Sequence, residues 1–192
     1  MNNFSVDTLE KQIDFILELE KLKSVTRKTK PLGAPQRYEN SAEHSWQICV
    51  AAMIFAPYAD AQIDLNKVIR MLLVHDVAEI DTGDTICFAK TDDFDAAEDA
   101  AIERIFGILP GFQKDYFIEL CREFCANETA EAKFAHAMDR LMPVLQNLFN
   151  DGQSWRENNI SKRQILNKAF KIAGGSGFLW KHIERRIDEF DL

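Results

Sequence analysis

The sequence predicts an all-α protein, a single helical bundle over residues 1–192, and three observations carry that prediction. Apolar residues recur at helical spacing along almost the whole chain, while the strict alternation of a half-buried strand is nearly absent. The interruptions are short and fall on Gly and Pro, as at Gly107, Pro110-Gly111 and Gly174-Gly175. Polar pairs of the capping-box type, Asp7 with Glu10 and Ser161 with Gln164, stand at the start of periodic stretches.

The first helix is expected from about Asp7 to Ser24, with Phe15, Ile16, Leu19 and Leu22 as its apolar stripe. A loop rich in Lys, Pro and Gly follows, from Val25 to Tyr38. The second helix begins at Asn40 or Ser41, with Glu43 placed to complete the cap, and ends near Pro57. The third runs from about Leu65 to Glu79, before Thr82-Gly83-Asp84 turns the chain. Further helices are expected at 93–108, 112–126, 129–150, 162–173 and 177–189. The core spans roughly residues 20–155, and the C-terminal helices pack on it.

A chain of 192 residues is long enough for a hydrophobic core, and 46% apolar with 28% charged residues is ordinary for a globular protein. The net charge of -8 speaks against a nucleic acid polymer or a membrane as partner, so an anionic substrate needs a local basic patch. Lys21, Lys23, Arg27, Lys28 and Lys30 supply one; the competing reading is a solvated helix end whose lysines favour the dipole. Arg37 is a second candidate for the phosphate, against the reading of an ordinary exposed loop arginine. Four cysteines show no disulfide-framework spacing, and the first residues lack the features of a signal peptide. The longest apolar run, Ile48 to Tyr58, is about half a membrane span. A cytoplasmic location with reduced thiols is therefore expected.

Three polar residues interrupt three apolar stripes. His44 is in line with Ile48, Ala51, Ala52 and Phe55; Asp76 continues Leu65, Val68, Ile69, Leu72 and Leu73; Asp139 lies within Phe134, Met138, Leu141, Leu145 and Phe149. His75 adjoins Asp76. Taken singly, each has an ordinary explanation: a core histidine with a hydrogen-bond partner, or an aspartate paired with Arg140. Together they put two carboxylates and two imidazoles toward one interior, where a divalent cation would offset the cost of burying the charges. That donor set suits a first-row transition ion with positions left for water. Pro143, four residues after Asp139, is expected to bend its helix there.

These residues resemble a known family. His44, then His75-Asp76, then Asp139 resemble the signature of the HD superfamily of metal-dependent phosphohydrolases. The surrounding blocks, residues 37–46, 71–85 and 132–141, resemble the bacterial HD hydrolases related to 5'-deoxynucleotidases, over roughly residues 20–155. The resemblance implies a single HD domain and one divalent metal (Mn, Co, Zn, Fe or Mg) on His44, His75, Asp76 and Asp139. It implies hydrolysis of a phosphate monoester such as a (deoxy)nucleoside 5'-monophosphate. Glu79 and Asp84 would then line the site as catalytic residues, and Arg27 would meet the phosphate. Members of that family often form dimers, so a homodimer is an expectation. Two positions depart from the pattern: Arg27 is followed by Lys28 rather than Trp, and the segment after Gly83-Asp84 reads Thr-Ile-Cys-Phe-Ala-Lys rather than being rich in Pro.

His136 and His182 are expected at the surface, and Cys121, Cys125, Trp155 and Trp180 as packing residues. The alternative to a hydrolase is a non-catalytic metal- or nucleotide-binding sensor on the same scaffold. A di-iron oxygenase would need more than the four histidines present.

Overall fold

The computed structural model describes residues 5–84 and 92–192; Cys87 and the segment 85–90, expected near the substrate pocket, lie outside them. Helix α1 (Val6–Leu19) starts at Ser5, whose Oγ accepts the Thr8 N–H at 3.1 Å. Its cap thus precedes the expected Asp7, which instead sits in the first turn facing the positive end of the helix dipole. A 3-10 turn over Glu20–Ser24 follows. Phe15 and Leu22 of the expected stripe are buried, whereas Ile16 is exposed.

The loop to α2 (Ser41–Phe55) is tied down by backbone pairing. Arg27 N–H donates to Glu39 O at 2.8 Å, Glu39 N–H to Thr29 O at 2.9 Å, and Ser41 N–H to Val25 O at 3.0 Å. This short antiparallel contact, with its bridge at Thr26 and Asn40, carries Arg27 into the interior. Helix α2 opens on the expected capping box of Asn40 and Glu43.

Helix α3 (Leu65–Val74), capped by Asp64, stops short of the expected Glu79. From Val77 the backbone bonds are one residue tighter: Val77 N–H reaches Val74 O, Glu79 reaches Asp76 O, and Ile80 reaches Val77 O. A single turn, α4 (Glu79–Thr82), ends at Gly83, whose φ of +70° favours glycine and brings Asp84 round.

The remaining helices are α5 (Asp92–Phe106), α6 (Gly111–Ala126), α7 (Ala130–Leu148), α8 (Gln153–Glu157), α9 (Lys162–Ala169) and α10 (Gly177–Glu189). Five of them match expectation within a few residues. The short α8 was not expected, because its N-terminus is capped from a distance: Asn147 Oδ1 accepts from Ser154 N–H at 2.9 Å and Trp155 N–H at 3.2 Å.

The apolar interior forms two clusters. One, with Ile48, Leu72, Met138, Leu141, Trp180 and Ile187, joins α2, α3 and α7 to the C-terminal helices. The other gathers Phe15, Leu22, Ile105, Phe106 and Ile118, with Phe106 stacked on Phe117 at 5.4 Å. At Gly175 an added Cβ would lie 2.5 Å from Lys133 O, so glycine lets the chain rest directly on α7. Trp155 and Trp180 are buried, as their packing role requires.

Candidate metal centre

Three elements bring the candidate ligands together. His44 comes from the first turn of α2, His75 and Asp76 from the tightened end of α3, and Asp139 from mid-α7. One donor atom each of His44, His75 and Asp76 lies within 4.8 Å of the others. Asp139 stands beside that trio, its Oδ1 3.2 Å from His44 Nε2 and 3.7 Å from His75 Nε2. His44 is fully buried, and the side chains of His75, Asp76 and Asp139 are 3%, 14% and 8% exposed.

The hydrogen bonding tests whether a cation fits. His75 Nδ1 donates to Leu72 O at 2.9 Å, which leaves Nε2 as the free nitrogen. That Nε2 is buried without a hydrogen-bond partner, 3.0 Å from Asp76 Oδ1. A lone pair facing carboxylate oxygens at this distance calls for positive charge between them, either a proton or a metal. The donor set fits a divalent ion.

The electrostatics agree. Burial pushes the His75 imidazole down, but the Asp76 and Asp139 carboxylates outweigh it and lift it to about 10. Burial opposes ionisation of Asp76, yet His75 and Arg27 hold it below the usual carboxylate range. Asp139 is likewise held low against burial, by Arg140 and the two histidines. His44, farther inside, is lowered by burial and by Arg27.

Arg27 enters from the loop before α2, with Nη1 3.0 Å from Asp76 Oδ2 and 3.9 Å from Asp84 Oδ1. Burial pushes Glu79 up to about 8, helped by Asp76, and its Oε2 accepts from Ser41 Oγ at 2.6 Å. Asp84 is raised by burial in the same region. Arg27, Lys28, Glu79 and Asp84 line one cavity of about 700 Å³ together with His75, Asp76 and Asp139. It continues past Phe124 and His136 toward Trp155 and Ile165.

Arg37 is elsewhere. Its guanidinium grips Glu43 through both terminal nitrogens, with Nη2 2.9 Å from Oε2, and is about half exposed. The α2 cap thus takes the charge assigned from sequence to a phosphate. Among the lysines, Lys21 and Lys23 pair with Glu18 and Glu20 on the surface and Lys30 with Glu157, while Lys28 reaches the cavity.

His136 corrects an expectation. It is packed inside the cavity wall, its ring stacked on Phe124 at 4.0 Å and its Nε2 donating to Phe124 O at 2.8 Å. Burial keeps it neutral, with a pKa lowered to about 4. His182 is exposed as expected. Nothing in the sequence singles out Glu39, yet it is 2% exposed and lies 3.2 Å from Arg27 Nε and 3.6 Å from His44 Nδ1. It precedes a helix rather than interrupting a stripe, so periodicity carries no sign of it.

The HD domain family model matches residues 19–178. The 5'-deoxynucleotidase HDDC2 of Homo sapiens is 29% identical over 139 residues, 70% of this chain and 65% of that protein. The match therefore spans a little less than two thirds of that relative's length. A 5'-deoxynucleotidase of Citrobacter koseri is 27% identical over 150 residues, 72% of this chain and 74% of its own. A crystal structure from Magnetospirillum magnetotacticum MS-1, described as a predicted metal-dependent phosphohydrolase, superposes with a TM-score of 0.90. It is 38% identical, covering 95% of each chain.

Proposed function

The chain belongs to the HD domain family, and from that premise we propose that it is a metal-dependent phosphohydrolase that cleaves a (deoxy)nucleoside 5'-monophosphate. One observation carries the reading: His44, His75, Asp76 and Asp139 converge beside a cavity that Arg27 and two protonatable carboxyls also line. The names of the human and Citrobacter relatives support the chemistry and the substrate class, and that of the Magnetospirillum structure supports the metal-dependent chemistry.

In this reading the two histidines and two aspartates hold one divalent ion, which acidifies water and neutralises phosphoryl charge when bound. Arg27 offers its planar fork to the phosphate oxygens, exchanging its contact with Asp76 for the substrate. Lys28 adds a second positive charge at the cavity wall. Glu79, protonated near neutrality by its burial, is suited to give a proton to the departing 5'-oxygen as the phosphorus–oxygen bond breaks. Asp84, 3.9 Å from Arg27, holds that guanidinium and shares the proton traffic.

The test is phosphate release from a panel of 5'-mononucleotides, using chelated protein resupplied with single divalent ions. Release that needs metal and disappears in His75→Ala supports the hydrolase. A protein that binds the metal and nucleotide yet releases nothing would be the sensor instead.

Cytoplasmic residence fits the thiols of Cys49 and Cys121, which form no disulfide, and among the described residues no helix is long and apolar enough to cross a membrane. A homodimer would cover the exposed apolar side chains Trp46, Val50, Met53 and Ile54 of α2. Light scattering at micromolar concentration decides between one copy and two.

A further inference from the structure

We propose that Glu39 is a positioning residue that orients the candidate metal ligand His44 and the phosphate arginine Arg27 through one carboxylate. A carboxylate this deeply buried is costly unless each oxygen is satisfied, and both are. Oε1 accepts from Gln146 Nε2 at 2.6 Å. Oε2 accepts from Thr29 Oγ1 at 3.1 Å and stands 3.2 Å from Arg27 Nε and 3.6 Å from His44 Nδ1. Its own backbone is fixed as well, between Arg27 N–H and Thr29 O. Gln146 belongs to α7, two turns beyond Asp139, so Glu39 joins the Arg27 loop, the start of α2 and the ligand-bearing helix.

The state of His44 points to what this arrangement does. Its Nε2 faces Asp139 Oδ1, and its Nδ1 is buried without a hydrogen-bond partner, toward Glu39. An imidazole that gives its Nε2 lone pair to a cation carries its proton on Nδ1, and a carboxylate behind that proton fixes the tautomer and raises ligand basicity. Arg27 Nε lies within ion-pair reach of the same oxygen without a hydrogen bond to it, while Nη1 donates to Asp76, so the Glu39 charge also bears on the direction of its fork. The competing role is a plain counter-ion for buried Arg27, with no bearing on the metal.

The inference rests on reading His44 as a metal ligand, and calorimetric titration separates the two. Mn2+ is titrated into the metal-stripped full chain, as wild type, Glu39→Gln and Arg27→Met. Glu39→Gln should weaken Mn2+ binding roughly 10- to 100-fold, the usual cost of losing a carboxylate behind a ligating histidine. Arg27→Met removes the ion pair but leaves Glu39 facing His44, and should keep or tighten Mn2+ binding. Unchanged affinity in Glu39→Gln, or an equal loss in both variants, overturns the proposal. If Glu39→Gln does not fold, Gln146→Met frees only Oε1 and should weaken Mn2+ by about tenfold, the low end of that range; no change there overturns it as well. Wild type that binds no Mn2+ would defeat the metal-centre reading and this inference with it, whereas normal wild-type binding with unaffected variants defeats only the role of Glu39.

Discussion

The imidazole of His136 lies flat on Phe124, ring centroids 4.0 Å apart, and donates from Nε2 to that residue's own carbonyl. Burial favours the neutral ring and outweighs that hydrogen bond, lowering the pKa from 6.5 to about 4. A depressed histidine means that the unfolded chain binds the proton more readily between those values. Stability is therefore complete above about pH 6.5 and falls as the pH drops toward 4. The loss from this one group is on the order of 3 kcal/mol at pH 4. Urea unfolding of wild type and His136→Gln across that range measures it; parallel pH curves for the two proteins would mean that His136 titrates normally.

Stripping the metal should destabilise the fold, since a cation bound by His44, His75, Asp76 and Asp139 favours the native state alone. At a hundredfold excess over Kd the stabilisation is about 2.7 kcal/mol. Calorimetric melting with and without added Mn2+ should show the difference in wild type and lose it in Asp139→Asn. An Asp139→Asn protein that still gains its full melting shift would remove Asp139 from the ligand set.

Arg27→Met should act on substrate binding more than on the metal. Losing a charged hydrogen bond to phosphate costs about 1.5–3 kcal/mol, roughly a 10- to 100-fold rise in KM. Steady-state kinetics on the preferred nucleotide tests this. A wild-type KM would assign the phosphate to another cation, with Lys28 the next candidate in the cavity.

Glu79→Gln should keep the hydrogen bond from Ser41 and the volume while losing the transferable proton. The expected consequence is a fall in kcat of roughly 10²- to 10⁴-fold with KM and melting temperature nearly unchanged. A kcat within twofold of wild type would pass the acid role to Asp84.

Asn147→Ala should destabilise the protein by about 1–3 kcal/mol. It removes the acceptor for two N–H groups of α8 and the donor to Pro143 O at 2.8 Å. Denaturant midpoints measure the loss, and an unchanged midpoint would show that α8 needs no such cap.

Much of the site is legible in the sequence, because burial of a helix face is written in local spacing. His44 and Asp139 interrupt apolar stripes whose helices turn those residues inward, while Asp76 lies just beyond α3, and Leu73 and Phe149 at the ends of their stripes are exposed. The Asn40–Glu43 and Ser161–Gln164 caps were equally readable, since each is closed within four residues. The end of α3 was not. The periodic pattern runs on to Glu79, while the backbone tightens after His75.

The sequence by itself determined the helical class, most helix limits and the inward placing of His44 and Asp139, all consequences of contacts within a few residues of one another. Only the tertiary structure decided the rest. It set Arg37 on Glu43 rather than in the cavity, stacked His136 on Phe124, and placed Glu39 between Gln146, Arg27 and His44. Glu39 and Gln146 are 107 positions apart in the chain. A hydrogen bond over that separation leaves no periodic trace, because it depends on how α7 packs against α2 and not on the spacing within either.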